Sequence, residues 1–412
     1  MKKLTKSELI SEFITHIGDM LFYPALIAYA LYFEKSPMFL ALIAASEHLP
    51  SIMAPVYGYL VDKVDKKVRS LFIIAVIQAI LYLIVAFIIN DVSELVFTLL
   101  ILINFISGSL NRSYNATSIT LVINELKGEE EIKQYRSMSI SIRTVVMIIG
   151  QLLGAALLLY ISAQSLAIIN LISFVLPILL VLKFLKYYRK SEESLRIKRA
   201  SMQTQTPLDI FKEVIGKKEL TQLLFFVGMI NFVVIPLSTV FIPETLKSIN
   251  IEETVIPLYY AITVAAFGIA TIFGVMLSQK MKIRNQHIFS ILVNLIFLIC
   301  IYYVLTSFVQ SYYQLVLLAI MYGLTIGVFN VYSETFFYSS IPVEKTATYN
   351  GVMQSVTLGA GVISSLLSGI LIGTIGVQYT FLLYGFLLLL LGFIGKQMKA
   401  GPKIEDKNER LA

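Results

Sequence analysis

His16, Asp19 and Tyr23 stand three and four residues apart inside an apolar run from roughly Ile10 to Tyr32, with Pro24 next in line. That spacing places the three side chains on one face of a helix. An ionisable side chain near the centre of a bilayer costs ~2.5 to 3.5 kcal/mol on insertion scales, so each asks for a partner or a use. Asp19 lies about eleven residues from the cytoplasmic end, or ~16 Å at the helical rise, close to mid-membrane. Arg112 sits at a comparable depth in a later apolar run and is the expected partner. A carboxylate that gains and loses such a partner can take up and release a proton during a cycle. The plainer alternative is a fixed ion pair that orients two helices.

Glu47 and His48 form a second polar step in an apolar run. Adjacent residues point about 100° apart on a helix, so one is expected to face a cavity and the other a neighbouring helix. Glu47 suits cation attraction or proton binding, against a structural hydrogen bond; His48 titrates near neutrality and could switch. Arg143 and Glu334 fall nearer the cytoplasmic ends of their runs, at depths like that of Asp62. Asp62, Arg69, Arg143 and Glu334 are expected to form a gate cluster, because bidentate Arg–carboxylate contacts are strong in one geometry and lost on a small displacement. Tyr23, Asn111, Tyr114, Asn115, Asn231, Tyr322 and Asn330 are the expected cavity lining, suited to amphipathic and cationic organic compounds. For any one aromatic among them, ordinary packing is the competing reading.

The elements that must carry these residues are membrane helices. The 412 residues are 57% hydrophobic and 14% charged, with a mean hydropathy of +0.80. That much apolar surface does not fit inside one water-soluble core. Twelve stretches supply the ~20 mostly apolar residues a span needs: 10–32, 38–61, 70–89, 95–121, 137–159, 165–185, 220–241, 255–277, 288–305, 312–339, 348–372 and 377–394. Lys and Arg gather in alternate connections, at Lys2, Lys3 and Lys6, Lys63 to Arg69, Lys183 to Lys218, Lys280 to Arg284, and Lys396 to Arg410. By the positive-inside rule both termini are cytoplasmic, which an even number of spans requires. The net charge of +7 is scattered between apolar runs, so no nucleic-acid face is expected. The single cysteine, Cys300, and the three histidines offer no metal or disulfide pattern. The Met1-Lys-Lys start is similar to a signal n-region, but His16, Asp19 and the lack of a small-residue cleavage site point to a retained first span.

The hydrophilic segment 187–218 divides the chain into bundles 1–186 and 219–399, with a cytoplasmic tail 400–412. It reads as a basic, membrane-hugging linker. The halves echo each other at an offset near 215 residues. Gly58 to Arg69 meets Gly274 to Arg284, and Gly108-Ser-Leu-Asn111-Arg112 meets Gly327-Val-Phe-Asn330-Val331, where Asp62 becomes Ser278 and Arg112 becomes Val331. Two such halves in a membrane imply a binding site where they meet, exposed alternately to each side.

The segment Gly58-Tyr-Leu-Val-Asp62-Lys63-Val-Asp65-Lys66-Lys67-Val-Arg69, with the six-plus-six split, resembles the loop signature of the major facilitator superfamily over nearly the whole chain. Gly18-Asp19, Ser36-Pro37, Leu49-Pro50 and Arg112 are similar to its drug-efflux branch of macrolide-efflux-type permeases. The resemblance implies an all-α membrane protein with twelve transmembrane helices in two six-helix pseudo-symmetric bundles. It implies a monomeric proton-coupled exporter in the plasma or inner membrane, acting on a small amphipathic molecule, with Gly58, Asp62, Lys66, Lys67 and Arg69 in a cytoplasmic latch. One departure is Gly150-Gln151-Leu-Leu-Gly154-Ala155, which lacks the proline of the antiporter element, so antiport is implied less firmly than export. Uptake by symport and a non-transporting receptor are the alternatives. No phosphate-binding glycine loop, catalytic triad or metal cluster suggests an enzyme or a cofactor.

Overall fold

The computed structural model describes residues 2–126, 129–199, 211–212, 216, 218–280, 288–339 and 346–397. Among the described residues the chain is helical, without strands. This follows from the solvent, since a bilayer offers backbone amides no water and a helix satisfies them within one segment. The helices are α1 Lys3–Leu31, α2 Ser36–Ile52, α3 Ala54–Lys63, α4 Lys67–Ile88, α5 Glu94–Glu125, α6 Glu129–Leu157, α7 Ala163–Lys183 and α8 Leu185–Arg199. They continue as α9 Lys218–Pro236, a π-helical turn Leu237–Phe241, α10 Ile242–Ser248, α11 Ile256–Lys280, α12 Ile288–Thr306, α13 Tyr312–Ser339, α14 Thr346–Ile375 and α15 Val377–Gln397.

Nine of the described spans are long and apolar enough to cross a membrane, and α2 with α3 makes a tenth that bends by 44°. The bend falls at Met53, between Pro50 and Pro55, whose rings and missing amides interrupt the helical ladder there. Shorter apolar stretches, Ser141–Leu157 and Ser290–Thr306, stand where the fifth and ninth spans are expected. The first helix begins at Lys3, not near Ile10, so a further acid, Glu8, joins Glu12 on it.

The contacts divide the chain into two compact units, Met1–Pro207 with Glu252–Ala261, and Leu208–Ile251 with Ile262–Ala412. In the first unit α1 packs on α6 and α7, α4 on α7, and α2 on α5. In the second, α9 packs on α14 and α12 on α15, the same scheme repeated. Glycine sets how closely several of these pairs approach. A Cβ on Gly150 would lie 2.6 Å from the Met20 Cβ, and one on Gly154 would strike the Leu21 carbonyl, both on α1. In the second unit a Cβ on Gly361 of α14 would strike Ile235 of α9. Of the echoed glycines, Gly108 faces the Pro50 ring and Gly274 and Gly327 face each other's helices.

The segment after the sixth span departs from the expected surface linker. Tyr188 at the start of α8 is fully buried and Ser191 nearly so. Ser191 Oγ donates to the Leu121 carbonyl at 2.7 Å, and Asn124 Nδ2 donates to the Ser191 carbonyl at 3.0 Å. The basic run therefore begins as a helix keyed into the first unit, with apolar and hydroxyl residues inward and Lys186, Arg189 and Lys190 spaced around the other faces.

Candidate functional site in the first unit

Helix α1 turns Glu12, His16, Asp19 and Tyr23 toward one interior cavity of about 160 Å³. Glu47 reaches it from α2, Asn104, Asn111, Arg112 and Asn115 from α5, and Arg143 from α6. Phe22, Tyr23 and Tyr82 supply aromatic wall. The expected one-face arrangement of His16, Asp19 and Tyr23 is present, and it extends to Glu12 one turn earlier.

The pairings differ from those expected. Asp19 accepts a hydrogen bond from Asn170 Nδ2 of α7 at 3.2 Å, not from Arg112. Asn170, itself fully buried, is also the acceptor for Ser173 Oγ at 2.9 Å, which fixes its amide with the NH2 toward Asp19. Arg112 and Glu47 face the same cavity from α5 and α2 with no ion pair joining them among the described residues, and Asn104 is a polar neighbour of Glu47. Arg143 pairs with Glu12, and Ser139 Oγ donates to the same carboxylate oxygen at 2.7 Å. Arg143 thus belongs to the cavity wall, and of its expected gate partners Arg69 is exposed. The Asp62 and Glu334 side chains lie outside the described residues, as do Lys282, Arg284 and the tail 400–412.

Of the remaining expected residues, Asn111 and Asn115 do line the cavity, joined by a 3.3 Å amide contact. His48 is not part of its lining, consistent with the 100° offset from Glu47. Tyr114 turns away, its hydroxyl 3.3 Å from Ser11 Oγ and its ring in the core with Leu71 and Leu121. In the second unit Tyr322 is packed among Phe267, Tyr302 and Tyr303, and Asn231 Nδ2 donates back to its own helix at the Val227 carbonyl, 2.8 Å away. Asn330 is exposed.

In the signature loop, Gly58 has open space around it and Lys66 and Arg69 are exposed. Lys67 is buried, its ammonium donating to the Val61 carbonyl at 2.6 Å, where it satisfies the end of α3. The Val68 amide at the start of α4 is capped by Glu192 of α8 at 2.9 Å. Lys67 therefore braces the loop instead of presenting a free charge.

Residues missed from the sequence are Glu8, Glu12, Asn104, Ser139 and Asn170. A signal for two of them was available: Glu8, Glu12, His16, Asp19 and Tyr23 continue one stripe at steps of four, four, three and four. Glu8 fell outside the apparent apolar run, and Glu12 stood at its edge. Asn170 and Ser139 are ordinary polar residues in sequence, and only packing against α1 gives them a role.

A family model described as Major Facilitator Superfamily matches residues 9–356 and 224–409. No curated protein matches the chain in sequence. The chain is similar in structure to a nucleoside transporter, NupG, with a TM-score of 0.72 at 14% identity over 97% of this chain and 100% of that one. It is similar to a POT family transporter solved with a thioalcohol-conjugated peptide, with a TM-score of 0.68 at 13% identity over 94% and 95%. It is also similar to a bacterial homologue of the iron transporter ferroportin in an inward-facing state, with a TM-score of 0.66 at 14% identity over 96% and 99%. At such identities the likeness is one of fold.

Proposed function

Starting from a chain that belongs to the major facilitator superfamily, and is accordingly a transporter and not an enzyme, we propose that it exports a small amphipathic organic cation in exchange for protons. The chain would sit in the cell membrane with both termini cytoplasmic and alternate between two access states.

One observation carries this reading. Glu12 is paired with Arg143, whereas Asp19 has a neutral hydrogen-bond partner, Asn170, and no ion pair among the described residues. A carboxylate in a membrane interior without a cation of its own must bind a proton or a cationic ligand for much of its cycle. Phe22, Tyr23 and Tyr82 line the same space, and aromatic faces attract organic cations as well as apolar groups. Mutually exclusive occupation of Asp19 by a proton and a cation is the simplest form of exchange. The cavity of about 160 Å³ is below the ~300–1,000 Å³ of pockets that enclose whole drug-sized ligands. It suits a charged head group, with the rest of the molecule outside this cavity.

The test is flux of tetraphenylphosphonium through the full-length protein in reconstituted vesicles with a pH gradient of either sign. Flux should reverse with the gradient. A flat response removes proton coupling, and no flux of this cation beside flux of neutral or anionic compounds removes the substrate class. In cells, loss of the protein should raise accumulation of cationic dyes; loss of a nutrient uptake instead would favour symport.

A further inference from the structure

Three cavities follow one another along the N-terminal half of α1. The substrate cavity shares Glu12, Thr15, Asn115 and Arg143 with a much smaller gap, which is lined in addition by Glu8, Tyr114, Ser118 and Tyr135. Tyr135 in turn forms a wall of a third space of about 280 Å³, with Lys2, Thr5, Glu131 and Gln134 around it. The middle gap measures about 10 Å³, close to the ~10–15 Å³ that one water needs. It has the polar partners a water needs as well.

Glu8 is the group at this gap that the substrate cavity does not use. It is 3% exposed, and no cation pairs with it among the described residues. Its two oxygens have separate partners, the Ser118 hydroxyl on α5 and the Tyr188 hydroxyl on α8. Both partners are hydroxyls, which can donate or accept. Tyr188 Oη also lies 3.4 Å from Ser7 Oγ, so its hydrogen has somewhere else to turn. A network of this kind holds a carboxylate or a carboxylic acid equally well. The titratable groups facing Glu8 are Glu12 on its own helix, Tyr114 on α5, Tyr135 and Arg143 on α6, and Tyr188 on α8.

We propose that Glu8 is a proton relay between the substrate cavity and the vestibule at Lys2 and Glu131, exchanging its proton with Glu12 through one water in the gap between them. This inference rests on the proton coupling proposed above. In the step, the Glu12 O–H bond breaks and its proton joins the water, which passes a different proton to a Glu8 oxygen. The negative charge moves from Glu8 to Glu12, where Arg143 receives it. The new Glu8 O–H donates to the Ser118 or Tyr188 oxygen, and where Tyr188 accepts, its own hydrogen turns to Ser7. Tyr135, buried between the gap and the vestibule, is placed to control the second half of the passage.

The decisive measurement needs no transported compound. In infrared difference spectra of the reconstituted full chain over a pH series, a carboxyl band should vanish in Glu8→Gln, and the midpoint of that band should move in Glu12→Gln. A Glu8 band indifferent to Glu12→Gln, or the lack of any such band, overturns the relay. Glu8→Gln keeps the shape, with an oxygen that accepts from one hydroxyl and an NH2 that donates to the other, since a hydroxyl can also accept. In vesicles, this variant should exchange tetraphenylphosphonium at equal pH while losing at least about tenfold of the pH-driven flux. Undiminished pH-driven flux overturns the relay, and loss of exchange together with driven flux makes Glu8 a structural knot and overturns it too. A wild-type flux that ignores the gradient instead overturns the coupling reading itself, which the infrared result leaves separately judged.

Discussion

The two helical units share a scaffold and differ in what they bury. In the first, α1, α2, α5 and α6 bring Glu8, Glu12, Asp19, Glu47, Arg112 and Arg143 into the interior. In the second, the interior described is mostly aromatic and hydroxylic, with one buried acid, Glu244 of α10. Phe241 and Tyr303 each pack against Phe381, Tyr384 and one another with ring centroids 4.5–6.3 Å apart, and the Tyr384 hydroxyl is shared by Ser364 Oγ at 2.9 Å and Ser368 Oγ at 2.7 Å. Aromatic packing and neutral hydrogen bonds hold one arrangement whatever the pH, whereas carboxylates and guanidinium groups change state with protons and ions. Among the described residues, the duplicated fold has therefore kept its helix contacts in both copies and gathered most of its buried ionisable groups in the first. Asp62 and Arg112, replaced by Ser278 and Val331 at the echoed positions, already mark that division in sequence.

The strongest challenge to this asymmetry is Asp19→Asn. The amide keeps shape and can still meet Asn170, but it cannot carry a proton, so pH-driven flux of tetraphenylphosphonium should fall by about 10²-fold or more, the scale of losing a positioned proton carrier. Expression and thermal stability should hold. Retained driven flux would move the coupling site elsewhere.

Shared scaffold predicts shared sensitivity, with one graded difference. Gly154→Ala places a methyl against the Leu21 carbonyl and Cα, which cannot yield without moving α1, while Gly361→Ala meets only side-chain atoms of Ile235, of which Cδ1 can turn away and Cβ, at 2.8 Å, needs a small helix shift. Overpacking costs about 1–3 kcal/mol, so Gly154→Ala should lower the melting temperature of the detergent-solubilised protein more than Gly361→Ala. The reverse order would mean that the first unit's helix contact is the softer one.

Much of this architecture was legible in the chain. Hydropathy gave the spans because membrane burial imposes a length, and lysine and arginine placement implied the orientation. The stripe from His16 to Tyr23 was legible because helical periodicity depends only on spacing. The partners were not, since which helix faces α1 is decided by glycine contacts at Gly150 and Gly154 and by the packing of α7. Hence Arg112 was matched to Asp19 by depth alone, while rotation about the helix axes set Asn170 opposite Asp19. Tyr188 was hidden for another reason: a basic run looks solvated, yet one face of α8 is buried.

Glu12→Gln probes the ion pair and should leave Arg143 without a carboxylate. The guanidinium is part exposed, with 37% of its side chain accessible, so the cost falls between the surface and buried extremes, about 1–3 kcal/mol. Adding Arg143→Gln should recover part of it in thermal melts, because the stranded charge goes. If the double variant is no better than the single, the pair contributes little beyond its place in the cavity wall.

The smallest effect belongs to the second unit and is the sharpest control. Ser368→Ala removes one partner of the Tyr384 hydroxyl, which still has Ser364 Oγ and, at 3.1 Å, the Ser364 carbonyl. The loss should be about 0.5–1.5 kcal/mol in stability, read as a small fall in melting temperature. The pH profile of flux should not move, because none of the three groups ionises in the working range. A shifted profile would place proton chemistry in the aromatic half as well, and the division of labour between the two units would have to be given up.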